Sequence, residues 1–128
     1  MPIYDDYTVL NGVEFEQYAK KVFQHLGYEV SETPTTGDQG ADLLIIKSEE
    51  KTVVQVKNHA ANVSNKAIQE AVAAVKYYDA KNAFVVISSS FTQGAIDLAD
   101  SNGVRLCDGE KLRVIVRQIN SGLKDSVI

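Results

Sequence analysis

Asp42 interrupts the apolar run Gly40-Ala41-Asp42-Leu43-Leu44, and Gln55 and Lys57 interrupt the Val-rich run Thr52-Val53-Val54-Gln55-Val56-Lys57. Runs this apolar are normally buried, and a buried charge is costly unless it is paired or holds a metal. One acidic and one basic intrusion, about a hairpin apart, point to a metal-dependent active site rather than to a core.

The two runs read as strands over residues 41–46 and 52–57. Lys47-Ser48-Glu49-Glu50-Lys51 between them is short and polar, as a hairpin loop should be. A two-residue turn at Glu49-Glu50 predicts Asp42 opposite Lys57 and Leu44 opposite Gln55. Side chains alternate along a strand, so Gln55 and Lys57 share a face, and this register adds Asp42 to it. The loop has no Asn-Gly or Asp-Gly pair to fix the register.

The remaining elements follow from periodicity and caps. Phe15, Tyr18, Ala19, Val22, Phe23 and Leu26 form one stripe of a helix over 13–26, stopped by Gly27. A short strand begins at Tyr28, and Thr33 to Gly40 reads as a loop. After the hairpin, 58–62 is a polar connection. Ser64 can cap a helix whose Ile68, Ala71, Val72 and Val75 face inward. Residues 83–87 form an apolar strand. Thr92 caps a helix carrying Ala95, Ile96 and Ala99, and 104–106 is a last strand. Asp108 caps a helix with Leu112, Ile115, Val116 and Ile119, and the tail from Ser121 is expected to fray. An early hairpin followed by crossover helices predicts an α/β fold with a mixed sheet and helices on both faces.

At 128 residues, 45% hydrophobic and 23% charged, the chain reads as one globular domain over 1–128, with its core at about 12–119. There is no internal repeat. No apolar stretch approaches the roughly 20 residues that cross a bilayer, and 1–10 lacks the regions of a signal peptide. Cys107 is the single cysteine, which suits a reducing cytoplasm. The net charge of −4 is unusual for a stand-alone nucleic-acid binder. A DNA substrate would call for a partner that supplies affinity, or a homodimer presenting a local basic groove.

Taken in order, these residues resemble the PD-(D/E)xK nuclease superfamily and, more narrowly, the catalytic domain of Mrr-type restriction endonucleases. The resemblance rests on Phe15-Glu16 in the first helix, Gly37-Asp38-Gln39-Gly40-Ala41-Asp42, and Gln55-Val56-Lys57, a Gln-x-Lys variant of the usual Glu-x-Lys. Ser64-Asn65-Lys66, Val86-Ile87-Ser88 and Phe91-Thr92-Gln93-Gly94-Ala95 continue it, so it spans 12 to about 116. It implies a restriction-endonuclease-like mixed sheet and a metal-dependent endodeoxyribonuclease leaving 5′-phosphate and 3′-hydroxyl ends. The implied cofactor is Mg²⁺, with Mn²⁺ able to substitute, because hydrolysis of a phosphodiester needs an activated water and stabilised phosphate charge.

On this resemblance Asp42 is the anionic metal ligand, the Gln55 side-chain oxygen a neutral one, and the Val56 carbonyl a third. Lys57 orients or activates the attacking water and offsets developing charge. Glu16, at the edge of its helix's stripe, holds a water on the metal or a second ion; Glu14 lies about as far from the stripe on its other side, and only the resemblance prefers Glu16. Gln in place of Glu lowers the charge around the metal, so binding should be weaker. Ser64, Asn65 and Lys66 at a helix start suit a phosphate, although capping explains the serine equally well. Gln69, one turn on, and His59, after the catalytic strand, are further candidates for DNA contact. Asp38, His25, Cys107 and the Tyr77-Tyr78 pair read as structural. The chain has no room for the separate recognition domain usual in Mrr-type enzymes. Two other functions compete: a junction or repair nuclease similar to Holliday-junction resolvases, and a non-catalytic DNA-binding or assembly subunit that keeps the fold.

Overall fold

In a computed structural model, which describes residues 10–33 and 43–122, the elements run α1 (Gly12–His25), β1 (Glu29–Glu32), β2 (Leu43–Lys47), β3 (Glu50–Lys57), α2 (Asn65–Tyr77), β4 (Asn82–Ile87), α3 (Gln93–Asn102), β5 (Arg105–Cys107) and α4 (Gly109–Asn120). The sheet has five strands in the order β1-β2-β3-β4-β5. The first two pairings are antiparallel, as short connections require, and the β3–β4 and β4–β5 pairings are parallel. The mixed sheet expected from the order of elements is the one observed.

Alternation along β3 splits the core in two. Val54 and Val56 point to the face covered by α1 and α4, with Phe15, Val22, Phe23, Leu112 and Ile115. Phe84 of β4 lies on that face with its ring edge-on to Phe23 at 5.7 Å. Val53, Val85 and Ile87 point to the face covered by α2 and α3, with Ile68, Ala71, Ala95 and Ala99. Ile96 is 42% exposed and lies outside this core, whereas its neighbour Ala95 is fully buried. Cys107 is buried as expected, and burial pushes its thiol up to about 12.

The hairpin differs from expectation. Its turn is Ser48-Glu49, one residue earlier than predicted, and both residues have positive φ (53° and 66°), as the tight turn of a two-residue hairpin demands. Leu43 therefore pairs with Val54, and Leu44 with Val53 rather than Gln55. The register slips by two residues, which leaves every described side chain of the hairpin on its expected face. The earlier turn keeps Lys47 on β2, where its ammonium donates to the Leu26 carbonyl (3.0 Å) at the end of α1. It also keeps Glu50 on β3, where its carboxylate meets Lys81 at 2.7 Å.

The start of α1 carries a device that the apolar stripe does not announce. Asn11 Oδ1 accepts the Glu14 N–H and the Glu14 carboxylate accepts the Asn11 N–H, both at 2.9 Å, a reciprocal capping box. Asn11→Ala is expected to cost about 1 kcal/mol, readable as a lower urea midpoint at unchanged slope. At α2, Ser64 occupies the N-cap position without a side-chain cap bond.

Candidate active site

β3 carries the site residues because it lies between β2 and β4 and ends beside the first turn of α2. Gln55 and Lys57 share the α2 face of the sheet with Val53, as their spacing predicts. Gln55 is 3% exposed, one of two polar residues in the buried set of the described chain. Its Nε2 donates to Glu70 Oε2 of α2 at 3.4 Å. Lys57 Nζ donates to the same oxygen, also at 3.4 Å, in a half-buried ion pair. Gln55 Oε1 is buried and has no hydrogen-bond partner among the described residues. An amide oxygen taken from water and left unmatched costs about 1–3 kcal/mol, so this atom favours a group that can use it.

Beyond Lys57 the surface opens into a pocket of about 210 Å³, lined by Lys57, His59, Asn62, Ser64, Lys66 and Glu70 among others. Among its described lining residues two lysines face one carboxylate, on a chain that is acidic overall. Its wall is held by a run of serines after β4. Ser88 Oγ donates to Asn58 Oδ1 (2.7 Å) and accepts the His59 N–H (3.2 Å). Ser89 Oγ donates to the Ala61 carbonyl (2.8 Å), and Ser90 Oγ donates to Asn62 Oδ1 (2.5 Å). The Val63 N–H donates to the Ser90 carbonyl and the Thr92 N–H to the Val63 carbonyl. These bonds bind the 58–63 segment to 88–92 and hold it at the carboxyl ends of β3 and β4, the edge of an α/β sheet where ligands usually bind.

The structure brings Gln55, Lys57, His59, Ser64 and Lys66 to one place. Gln69 is exposed on α2 outside the pocket lining. Asn65 turns toward α3, with its Oδ1 only 3.0 Å from where a side chain on Gly94 would begin. Glu16 is half-buried on α1, the helix that covers the opposite face of the sheet, while Glu14 belongs to the cap. Val56 lies in the core with its backbone on the central strand. Asp42 and Asp38 lie outside the described residues. The residue that sequence reasoning missed is Glu70; its signal was a carboxylate one turn after Lys66 and beside the buried Ala71.

Among the described residues no three His, Cys, Asp or Glu side chains gather as a metal cluster. The described side-chain oxygens on this strand face are those of Gln55 and Glu70, and Gln55 Oε1 is buried with no partner among the described residues. Such a set fits a hard divalent cation, which prefers oxygen ligands. Among the described residues no helix is long and apolar enough to cross a membrane.

Comparison with known proteins bears on the family and the fold. The model of the Mrr-type catalytic-domain family, described as restriction endonuclease, matches residues 8–116. No curated protein matches the chain. Among solved structures, the DNA modification-dependent restriction endonuclease AspBHI is 14% identical with a TM-score of 0.66, covering 94% of this chain and 34% of its own. The MspJI restriction endonuclease in complex with a 27-mer oligonucleotide is 23% identical, TM-score 0.54, covering 85% and 28%. The restriction endonuclease FokI bound to DNA is 15% identical, TM-score 0.52, covering 92% and 27%. At these identities the likeness is one of fold, and the chain spans about a third or less of the length of each of the three. The family match covers most of the chain: it belongs to the Mrr-type restriction endonuclease family and is a restriction-endonuclease-like nuclease domain.

Proposed function

We propose that the chain is a metal-dependent endonuclease that hydrolyses DNA phosphodiester bonds. The observation that carries this reading is Gln55 Oε1, a buried acceptor without a partner among the described residues, on the same strand face as Lys57 two residues on. Asp42, Gln55 Oε1 and the Val56 carbonyl are the residues that would hold Mg²⁺ or Mn²⁺, and Glu16 would support a water or a second ion from α1. When bound, the ion supplies charge to stabilise the phosphate and to activate water. Lys57 contributes a compact ammonium, half-exposed at the mouth of the pocket, where it can orient the attacking water and offset charge on the phosphate. Lys66, His59 and Ser64 line the adjoining wall and receive the DNA backbone, with the start of α2 favouring an anion; Asn65 and Gln69 flank that helix turn and contact the nucleic acid farther out.

Solved relatives of this fold include MspJI with an oligonucleotide and FokI bound to DNA, which supports DNA as the substrate. The net charge of −4 gives weak long-range steering toward it. A second copy or a partner that supplies affinity and directs the cut completes this reading.

The test is supercoiled plasmid incubated with protein in Mg²⁺, in Mn²⁺ and in chelator, beside Asp42→Ala. Nicking or linearisation that needs the metal and disappears in the variant is the expected result. Cleavage untouched by chelator or by Asp42→Ala would sink the metal-dependent reading. DNA binding with no cleavage in either metal would favour the assembly subunit.

A further inference from the structure

We infer that Glu70 is a positioning residue that sets which way the Gln55 amide faces, an inference that rests on the nuclease reading above. An amide side chain has two ends of nearly the same size, one donating and one accepting. In a site where Gln55 is 3% exposed, packing alone does not distinguish them. A carboxylate accepts only, so Glu70 Oε2 draws Gln55 Nε2 to within 3.4 Å and repels Oε1. The oxygen is thereby the end left without a partner among the described residues, the end a cation would use.

Lys57 makes the need for this device specific. It lies on the same face two residues on, and its ammonium donates only. Without Glu70, Lys57 would attract Gln55 Oε1 and favour the opposite amide orientation. Glu70 prevents this by taking both donors on one oxygen, Lys57 Nζ at 3.4 Å and Gln55 Nε2 at 3.4 Å. A carboxylate at position 55 would have two equivalent oxygens and nothing to orient. A glutamine there requires an outside group to aim it.

The experiment is a double-mutant cycle read by calorimetry with Mg²⁺ alone and by side-chain amide NMR of the metal-free protein. Glu70→Ala is expected to weaken Mg²⁺ binding about tenfold, the lower end of the usual effect for a group that orients a ligand. In a Gln55→Glu background the same change should leave Mg²⁺ affinity unaltered or tighten it. Glu70→Gln, whose amide can donate to Gln55 Oε1 as well as accept from Nε2, should weaken Mg²⁺ binding nearly as much. In the metal-free protein, Glu70→Ala should shift the Gln55 NH₂ resonances. An equal loss of affinity in both backgrounds would make Glu70 a ligand and overturn the inference. So would a fall in melting temperature with Mg²⁺ affinity unchanged, or Gln55 resonances indifferent to Glu70. Wild-type protein that binds no Mg²⁺, yet whose Gln55 resonances depend on Glu70, would defeat the nuclease reading and leave the orienting role standing.

Discussion

Lys57→Ala is expected to slow DNA cleavage by about 10²–10³-fold, the usual loss when one charge-stabilising group is removed from a reacting centre. The effect should appear in the single-turnover rate at saturating protein. DNA affinity should change little by comparison, because Lys66 and His59 remain on the pocket wall. Stability should also hold to within about 1 kcal/mol, since a pair whose partners are 27% and 22% exposed is partly solvated and Glu70 can rehydrate. Lys57→Arg keeps the charge but replaces a compact ammonium with a wide planar fork, so it should not restore the rate. Lys66→Ala makes the contrasting control: weaker binding, a salt slope shallower by about one charge, and a near-normal rate at saturation. An unimpaired single-turnover rate in Lys57→Ala would remove Lys57 from the chemistry.

The sequence made the fold legible because each signal was local and agreed with its neighbours. The α1 stripe, the Thr92 and Asp108 caps and the apolar run of β4 all became the elements they predicted. The hairpin register was less legible because Ser48-Glu49 is an unusual pair for a turn with two positive φ angles. Its contacts are distant in sequence: the Leu26 carbonyl receives Lys47, and Glu50 pairs with Lys81. The error was an even number of residues, so Gln55 and Lys57 kept their shared face.

Glu70 was missed for a related reason. Ile68, Ala71, Val72 and Val75 define a stripe whose flank lies nearer Gln69. In the structure Ala67 and Ala74 are buried while Val72 and Val75 are only partly so. At about 100° per residue this turns the buried stripe by roughly 50° toward Glu70 and leaves Gln69 in solvent. Small residues decide that face because α2 packs closely on α3 and the sheet, and alanine is the least informative apolar residue in a pattern.

Gln55→Met should raise stability while abolishing cleavage. Methionine has nearly the same length and volume as glutamine, so the core between β3 and α2 can keep its packing. The change removes a buried oxygen that has no partner among the described residues, and an unmatched buried acceptor costs about 1–3 kcal/mol. It also removes the 3.4 Å hydrogen bond to Glu70, which offsets part of that gain by up to about 1 kcal/mol, while Glu70 keeps Lys57. The net gain should be about 1 kcal/mol, a rise of roughly 4 °C in Tm for a chain of this size. Cleavage should fall at least about 10²-fold, because a thioether is a poor ligand for a hard cation. A purely structural glutamine would behave the other way: its loss would lower Tm and spare the reaction. Melting curves and plasmid cleavage on the same preparation decide between the two, and a variant that melts lower yet still cuts would return Gln55 to the core. The opposite result would mean that the fold accepts a less stable core in order to keep one amide oxygen free for the reaction.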